Sequence, residues 1–256
     1  MLDTRQGQRP LVIAHRGASA EAPENTLAAF QAAARAGADG IELDVTMCAS
    51  GDVVVIHDDT IDRTTNGSGR VRDMSLETLR LFDAGRWFDA RYEGQVIPTL
   101  ADVVDLVSES LFINIEIKPT GLKDEGLEDG VIDLVRRRDI SHRVLISSFN
   151  PIALWRVRRR APELHRALLT APNMPLLLAS GWPAVLVQPY ALHPHYSQVD
   201  DGYVQRAHQR GLQVNVWTVD DPQEMRRLYH LNVDGIITNH PARLRTVLEQ
   251  VAEEGG

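Results

Sequence analysis

The feature that most constrains this chain is a repeat. Eight short, nearly uninterrupted apolar runs recur at residues 11–14, 40–45, 112–117, 143–148, 165–170, 184–188, 213–219 and 235–238. Most are followed by a stretch with apolar residues three to four positions apart, at 26–36, 100–108, 130–138, 151–161, 204–210, 222–231 and 241–252, the spacing of an amphipathic helix. A strand apolar at consecutive positions is buried on both faces, which a parallel sheet covered by helices requires. Eight such units in 256 residues predict a (β/α)8 TIM barrel, with residues 1–256 forming a single domain. Glycines at Gly37 and Gly211 stand where two of the helices should stop. A doubly wound open sheet is the competing architecture, but no glycine-rich phosphate loop opens the first helix.

The repeat is broken once. After the run 40–45, a second β-like segment, 53–57, follows too soon for a crossover helix, so it should turn back antiparallel as a hairpin. The segment 58–99 then has no clear barrel strand and reads as a small insertion covering part of the barrel mouth. It holds the turn signal Asn66-Gly67-Ser68-Gly69, a helix candidate starting near Ser75, and Trp87, Phe88 and Tyr92, read as packing aromatics.

Side chains alternate along a strand, so Glu42 and Asp44 share one face, as do Val53, Val55 and His57. Two neighbouring carboxylates on a buried strand repel each other unless a cation relieves them. Further polar residues sit where strands should end: His15 and Arg16 on the first, Glu116 and Lys118 on the third, Gln188 on a later one, Asn215 and Trp217 on the next. A lone histidine among these would be a satisfied core or rim group. Their convergence at the face where barrels build active sites argues for a site. Three carboxylates, Glu42, Asp44 and Glu116, with neither cysteine nor a histidine pair at zinc spacing, favour one divalent cation, Mg²⁺ or Ca²⁺. His15 and His57 can take and give a proton. Arg16 and Lys118 suit a phosphate oxygen. The inferred class is metal-assisted phosphoryl transfer by acid–base catalysis without a covalent enzyme intermediate.

Composition excludes several alternatives. A net charge of -8 and no basic stripe argue against nucleic acid as partner. Arg156, Arg158, Arg159 and Arg160 fall on one helix and read as a solvated face. Cys48 is the only cysteine, so no intrachain disulfide forms. Residues 1–10 are polar, and no run approaches the ~18 apolar residues of a bilayer span. A cytoplasmic protein without stable membrane insertion is the expectation.

Taken together, Ala14-His15-Arg16-Gly17, Pro23-Glu24-Asn25-Thr26, Glu42-Leu43-Asp44-Val45, His57-Asp58, Glu116-Ile117-Lys118 and Val216-Trp217-Thr218 resemble the ordered motifs of the glycerophosphodiester phosphodiesterases, over residues 11–241. The resemblance implies a barrel like that of the phosphatidylinositol-specific phospholipases C, and hydrolysis of a glycerophosphodiester substrate to glycerol 3-phosphate and an alcohol. It implies His15 and His57 as general acid and base, Glu42, Asp44 and Glu116 as metal ligands, Arg16 and Lys118 as phosphate-binding groups, and Trp217 as a pocket aromatic. Glu24 and Asn25 match the motif after the first strand, where Asn25 could equally cap the helix beginning at Thr26. In such enzymes the adjacent glycerol hydroxyl attacks first, giving a cyclic intermediate that water opens; the sequence does not distinguish this route from direct attack by water. Two alternatives keep the site: a lysophospholipase D-like activity, decided by the apolar surface of 58–99 and the loops 171–175 and 190–196, and a non-catalytic barrel that binds a phosphodiester. His193 and His195, in the last of these loops, read as rim residues. The sequence does not assign acid and base to the two histidines, the alcohol released, or the oligomeric state.

Overall fold

In the computed structural model, which describes residues 9–107, 111–118, 125–172, 174 and 182–254, eight parallel strands close into a barrel. They are β1 (Leu11–His15), β2 (Gly40–Met47), β4 (Phe112–Ile117), β5 (Val144–Ser148), β6 (His165–Thr170), β7 (Ala191–Pro194), β8 (Gln213–Val216) and β9 (Gly235–Thr238). Closure is made by β1 pairing with both β2 and β9. The short β3 (Val53–Val55) lies outside this ring and pairs antiparallel with β2, Val45 opposite Val55 and Met47 opposite Val53. The hairpin expected from the short spacing is therefore present. Around the barrel lie α1 (Leu27–Arg35), α2 (Leu76–Leu79), α3 (Leu100–Leu106), α4 (Leu127–Arg137), α5 (Pro151–Arg160), α6 (Trp182–Val187), α7 (Asp201–Gln209), α8 (Pro222–His230) and α9 (Pro241–Glu254).

The strands bury both faces, as continuous apolarity requires. Val12, Ala14, Ile41, Leu43, Ile113 and Ile115 face outward into the helical layer, while Ile13, Phe112, Leu145, Ala167, Ala191 and Ile237 fill the barrel interior at its N-terminal end. Above that plug the inward residues turn polar: Glu42, Asp44, Asn114, Glu116, Ser147, His193 and Asn215 are all buried. Gly40 makes room for the plug, because a Cβ there would overlap the Phe112 ring. The 58–99 segment has its own apolar cluster, in which Ile61, Val71, Leu79, Ala84 and Ile97 pack with Cys48, Val54 and Ile56 from the hairpin. Ser75 caps α2 by accepting from Thr78 N, where the sequence placed a helix start. Trp87, Phe88 and Tyr92 meet edge to face.

One strand assignment fails. Residues 184–188 form no strand; 184–187 belong to α6, and the sixth barrel strand is β7, Ala191–Pro194. A run of four apolar residues carries no periodicity that separates helix from strand, and His193 interrupts the apolar signal of the true strand. The predicted end of the second helical segment at residue 108 lies outside the described residues. Among the described residues no helix is long and apolar enough to cross a membrane.

Candidate active site

The register of three adjacent strands assembles the acidic cluster. Glu42 on β2 lies beside His15 on β1 and Asn114 on β4, and Asp44 lies beside Glu116. Carboxylate oxygens of Glu42, Asp44 and Glu116 all fall within 4.8 Å of one another, and all three residues are buried. Donors on opposite sides of a Mg²⁺ or Ca²⁺ ion are about 4–5 Å apart, given ligand distances of roughly 2.0–2.6 Å. The electrostatics fit such an ion. Burial, then repulsion from Asp44 and Glu116, pushes the Glu42 carboxyl well above the ordinary carboxylate range. Burial and Asp44 push Glu116 up to about 7 in spite of Lys118. Asp44 goes the other way: burial raises it, but Lys118, Arg16 and His57 outweigh burial and hold it low. Two of the three carboxyls thus lack the charge compensation that the third enjoys.

Asp44 owes this to a full set of partners. Lys118 Nζ is 2.7 Å from Oδ1, Asn25 Nδ2 donates to Oδ2 at 2.8 Å, and Arg16 Nε is 3.3 Å from Oδ2. Lys118 also donates to Glu116 Oε1 at 3.0 Å. Arg16 reaches Glu24 Oε1 with Nη1 at 2.8 Å, while its backbone N–H donates to Glu42 Oε2 at 3.0 Å. Both cations predicted to face a phosphate therefore stand against the carboxylates. The turn that presents Arg16 is tight: Arg16 has φ 55° and Gly17 φ 83°, and Gly17 N–H donates to Ala14 O. A Cβ at Gly17 would come within 2.6 Å of the Ala29 backbone, so glycine lets α1 approach the end of β1. Asn25 does not cap α1. Thr26 does, accepting from Ala29 N, which leaves the Asn25 side chain, held by a left-handed backbone at φ 57°, free to grip Asp44.

The two histidines are wired differently. Asn239 Nδ2 donates to Asp220 Oδ2 at 2.6 Å, and Asn239 N donates to Asp220 Oδ1. The carboxylate fixes the amide orientation, so Asn239 Oδ1 must accept, from Ser19 Oγ and from His15 Nδ1, each at 2.7 Å. His15 is accordingly the Nδ1–H tautomer with a bare Nε2, which lies 4.0 Å from Glu42 Oε2. Burial and the neighbouring Arg16 lower the His15 imidazolium to about 4, keeping the ring neutral. His57 instead has Nδ1 2.6 Å from Asp58 Oδ1. Arg63 holds the Asp58 carboxyl down at about 2 against partial burial, with help from His57, so an ionised carboxylate accepts the His57 Nδ1 proton.

Trp217 follows β8, half-buried, with Nε1 donating to His193 O at 2.8 Å. Its ring meets Phe149 and His195 edge-on at centroid distances of 5.5 and 5.3 Å. Phe149, beyond the end of β5, escaped the sequence reading because nothing local marks it. Gln188 is misplaced in that reading: it follows α6, is exposed, and accepts from Arg166 through its backbone carbonyl, so it ends no strand. His193 is not a rim residue but a fully buried member of β7, its Nε2 3.0 Å from Asn215 Nδ2. His195 is half-buried and bonded to Ser197, as a rim residue should be. Asn239, Asp220 and Arg63 were missed, since only tertiary structure brings them to the histidines.

Comparison with known proteins agrees with this geometry. The profile of the Glycerophosphoryl diester phosphodiesterase family matches residues 15–243. A glycerophosphodiester phosphodiesterase of Caldanaerobacter subterraneus subsp. tengcongensis is 42% identical over 92% of this chain and 96% of its own length, and one from Bacillus altitudinis is 34% identical over 94% and 98%. Among solved structures, an Oleispira antarctica phosphodiesterase in complex with the product sn-glycerol-3-phosphate superposes with a TM-score of 0.84 at 30% identity, covering 94% of this chain and 97% of that one. The glycerophosphodiester phosphodiesterase of Agrobacterium tumefaciens superposes with a TM-score of 0.81, also at 30% identity, over 93% and 99%. By sequence profile, by identity along nearly its full length and by fold, this chain belongs to the glycerophosphoryl diester phosphodiesterase family.

Proposed function

We propose that the chain hydrolyses glycerophosphodiesters to glycerol 3-phosphate and an alcohol, with His15 as general base and His57 as general acid. The observation that carries the assignment is the opposite wiring of the two rings. His15, neutral and with Nδ1–H committed to Asn239, presents a bare Nε2 that can take the proton of an attacking hydroxyl. His57, whose Nδ1–H is committed to the Asp58 carboxylate, leaves Nε2 as the ring atom that can pass a proton to the departing alkoxide. Separating acid from base by environment in this way is how one site runs both halves of a proton transfer at neutral pH.

Glu42, Asp44 and Glu116 would hold one divalent cation, Mg²⁺ or Ca²⁺, which when bound supplies Lewis-acid stabilisation of charge on a phosphate oxygen. With those carboxylates so occupied, Lys118 and Arg16 lie next to where the phosphate would sit and add positive charge around it. Asn25 and Glu24 keep Asp44 and Arg16 from turning away. Trp217 and Phe149 offer an apolar wall to the glycerol carbons or the leaving alcohol.

The test is a side-by-side assay of glycerophosphocholine, glycerophosphoethanolamine and lysophosphatidylcholine with Mg²⁺, with Ca²⁺ and with chelator. Glycerol 3-phosphate should appear from the first two, only when an ion is supplied. His15→Ala and His57→Ala should each lose at least ~10²-fold in kcat. Cleavage of lysophosphatidylcholine alone would move the substrate to lysophospholipids. Binding without turnover of any of the three would make the barrel a sensor.

A further inference from the structure

Arg63 belongs to the 58–99 segment and to none of the motifs that carry the site, yet its guanidinium joins the two halves of it. Nη1 and Nη2 donate to the two oxygens of Glu24, each at 2.8 Å. On the other side Nε donates to Asp58 Oδ2 at 2.7 Å and Nη2 reaches Asp58 Oδ1 at 3.2 Å. Behind Asp58 stands His57, and behind Glu24 stands Arg16, which shares Glu24 Oε1 and lies against Asp44. A single planar fork thus spans from one histidine to the cation beside the acidic cluster.

The backbone that carries Arg63 is anchored. Ile61, Thr64 and Thr65 are buried around it, and Thr65 Oγ1 donates to Ile61 O at 2.7 Å. The Arg63 side chain itself is nearly half exposed, and exposed ion pairs contribute little to stability. What two bidentate grips do provide is direction, since guanidinium N–H groups lie in one plane at fixed angles. Asp58, with a third of its side chain exposed, has no other side-chain partner among the described residues besides His57, so without Arg63 it could swing into solvent.

We infer that Arg63 is a positioning residue, which holds Asp58 on His57 and Glu24 on Arg16 so that the proton-donating ring and the phosphate-side guanidinium keep a fixed separation. The inference rests on the reading of His57 as proton donor. It gives the insertion a part in the reaction beyond covering the barrel.

The test uses the full chain with Arg63→Ala, Arg63→Lys and Arg63→Gln, assayed on glycerophosphocholine with the activating ion and followed by long-range ¹H–¹⁵N correlation of the histidine rings. Arg63→Ala should lower kcat by about 10- to 100-fold while KM changes by less than about threefold, the scale expected when a catalytic group is misplaced by an ångström or so. Arg63→Lys should recover only part of the loss, because a point charge cannot grip two carboxylates at once, and added guanidinium should partly restore Arg63→Ala. The His57 ring should lose its fixed Nδ1–H tautomer. A kcat within about twofold of wild type, or an unmoved His57 ring, overturns the inference; so does a lowered Tm with normal kcat and no response to guanidinium, the mark of a purely structural residue. If Arg63→Ala does not fold, the Lys and Gln variants carry the comparison. Should the wild-type chain release no glycerol 3-phosphate, the functional reading falls, and the His57 ring signals still decide whether Arg63 acts on it through Asp58.

Discussion

Asn239 carries no charge, yet it sets the chemistry open to His15. Because Asp220 takes its amide protons, its oxygen can only accept, and a histidine that must donate from Nδ1 keeps Nε2 free for a base's work. Asn239→Leu should remove the acceptor while preserving volume and lower kcat by roughly 10- to 100-fold, with the His15 tautomer no longer fixed in ring-nitrogen NMR; an unchanged kcat would remove Asn239 from the reaction. Asn25 shows the same logic in another place. Its sequence position suited a helix cap, but Thr26 performs that task, and the buried amide holds Asp44 instead. At this scale the charged members of the site were legible, since carboxylates and histidines at strand ends announce themselves. Neutral residues that orient them were not, because an asparagine in a loop has too many ordinary uses for its type to signal one.

At the scale of elements, the β1–α1 turn does the most to place chemistry. It holds Arg16 and Gly17 in left-handed conformations and brings α1 against the end of the strand. Gly17→Ala adds a Cβ with backbone atoms 2.6 Å away, so the helix must move; the expected cost is roughly 2–4 kcal/mol, a Tm lower by roughly 5–15 °C, and reduced activity as Arg16 shifts. Gly51 has nearly the same φ, 85°, but open space around it, so Gly51→Ala should lose only about 1 kcal/mol. Equal losses in calorimetry would show that strain in φ, not the close approach, governs the turn. The misassigned pair α6 and β7 teaches the complementary lesson. Four apolar residues in a row suit a strand or a helix alike, and Val185 proves largely exposed, while the actual strand buries a histidine whose Nε2 meets Asn215 inside the barrel.

Over the whole molecule, closure joins the two ends of the chain. Asp39 accepts from Val12 N on β1, pairs with Arg9, and lies 3.2 Å from Arg245 on α9. Burial raises its carboxyl, but Arg9 and the Val12 N–H more than reverse this and hold it below the usual range. A depressed carboxylate stabilises above the unfolded-state value near 4 and loses that contribution as pH falls through its own lower one. His193 acts in the same direction. Burial holds it down to about 3, so below the unfolded-state value near 6.5 the unfolded chain takes up a proton that the barrel refuses. The contribution of His193 should therefore shrink from about pH 6.5 down to about 3, and that of Asp39 from about pH 4 downward. Asp39→Asn should cost roughly 1–3 kcal/mol at pH 7, and the gap from wild type should narrow below pH 4; guanidinium chloride unfolding at pH 7 and pH 3 checks both. A constant gap would show that Asp39 acts through packing and not through its charge.

The chain's own order determined much here. Continuous apolar runs alternating with helical periods dictate a parallel sheet buried on both faces, because a strand apolar on both faces can only be covered on both. Seven residues between two β-like segments dictate a hairpin, because no crossover helix fits. Carboxylates at alternate positions dictate a shared face, because strand side chains repeat every two residues. What tertiary structure alone decided is how those groups are held: that Lys118 and Arg16 stand against Asp44, that Asn239 fixes one histidine and Arg63, through Asp58, the other. Those contacts join residues far apart in the chain, from Arg63 to Glu24 and from Asn239 to His15. They exist only once the barrel closes, and hydrogen-bond direction, unlike hydrophobic periodicity, leaves no repeating trace along a sequence.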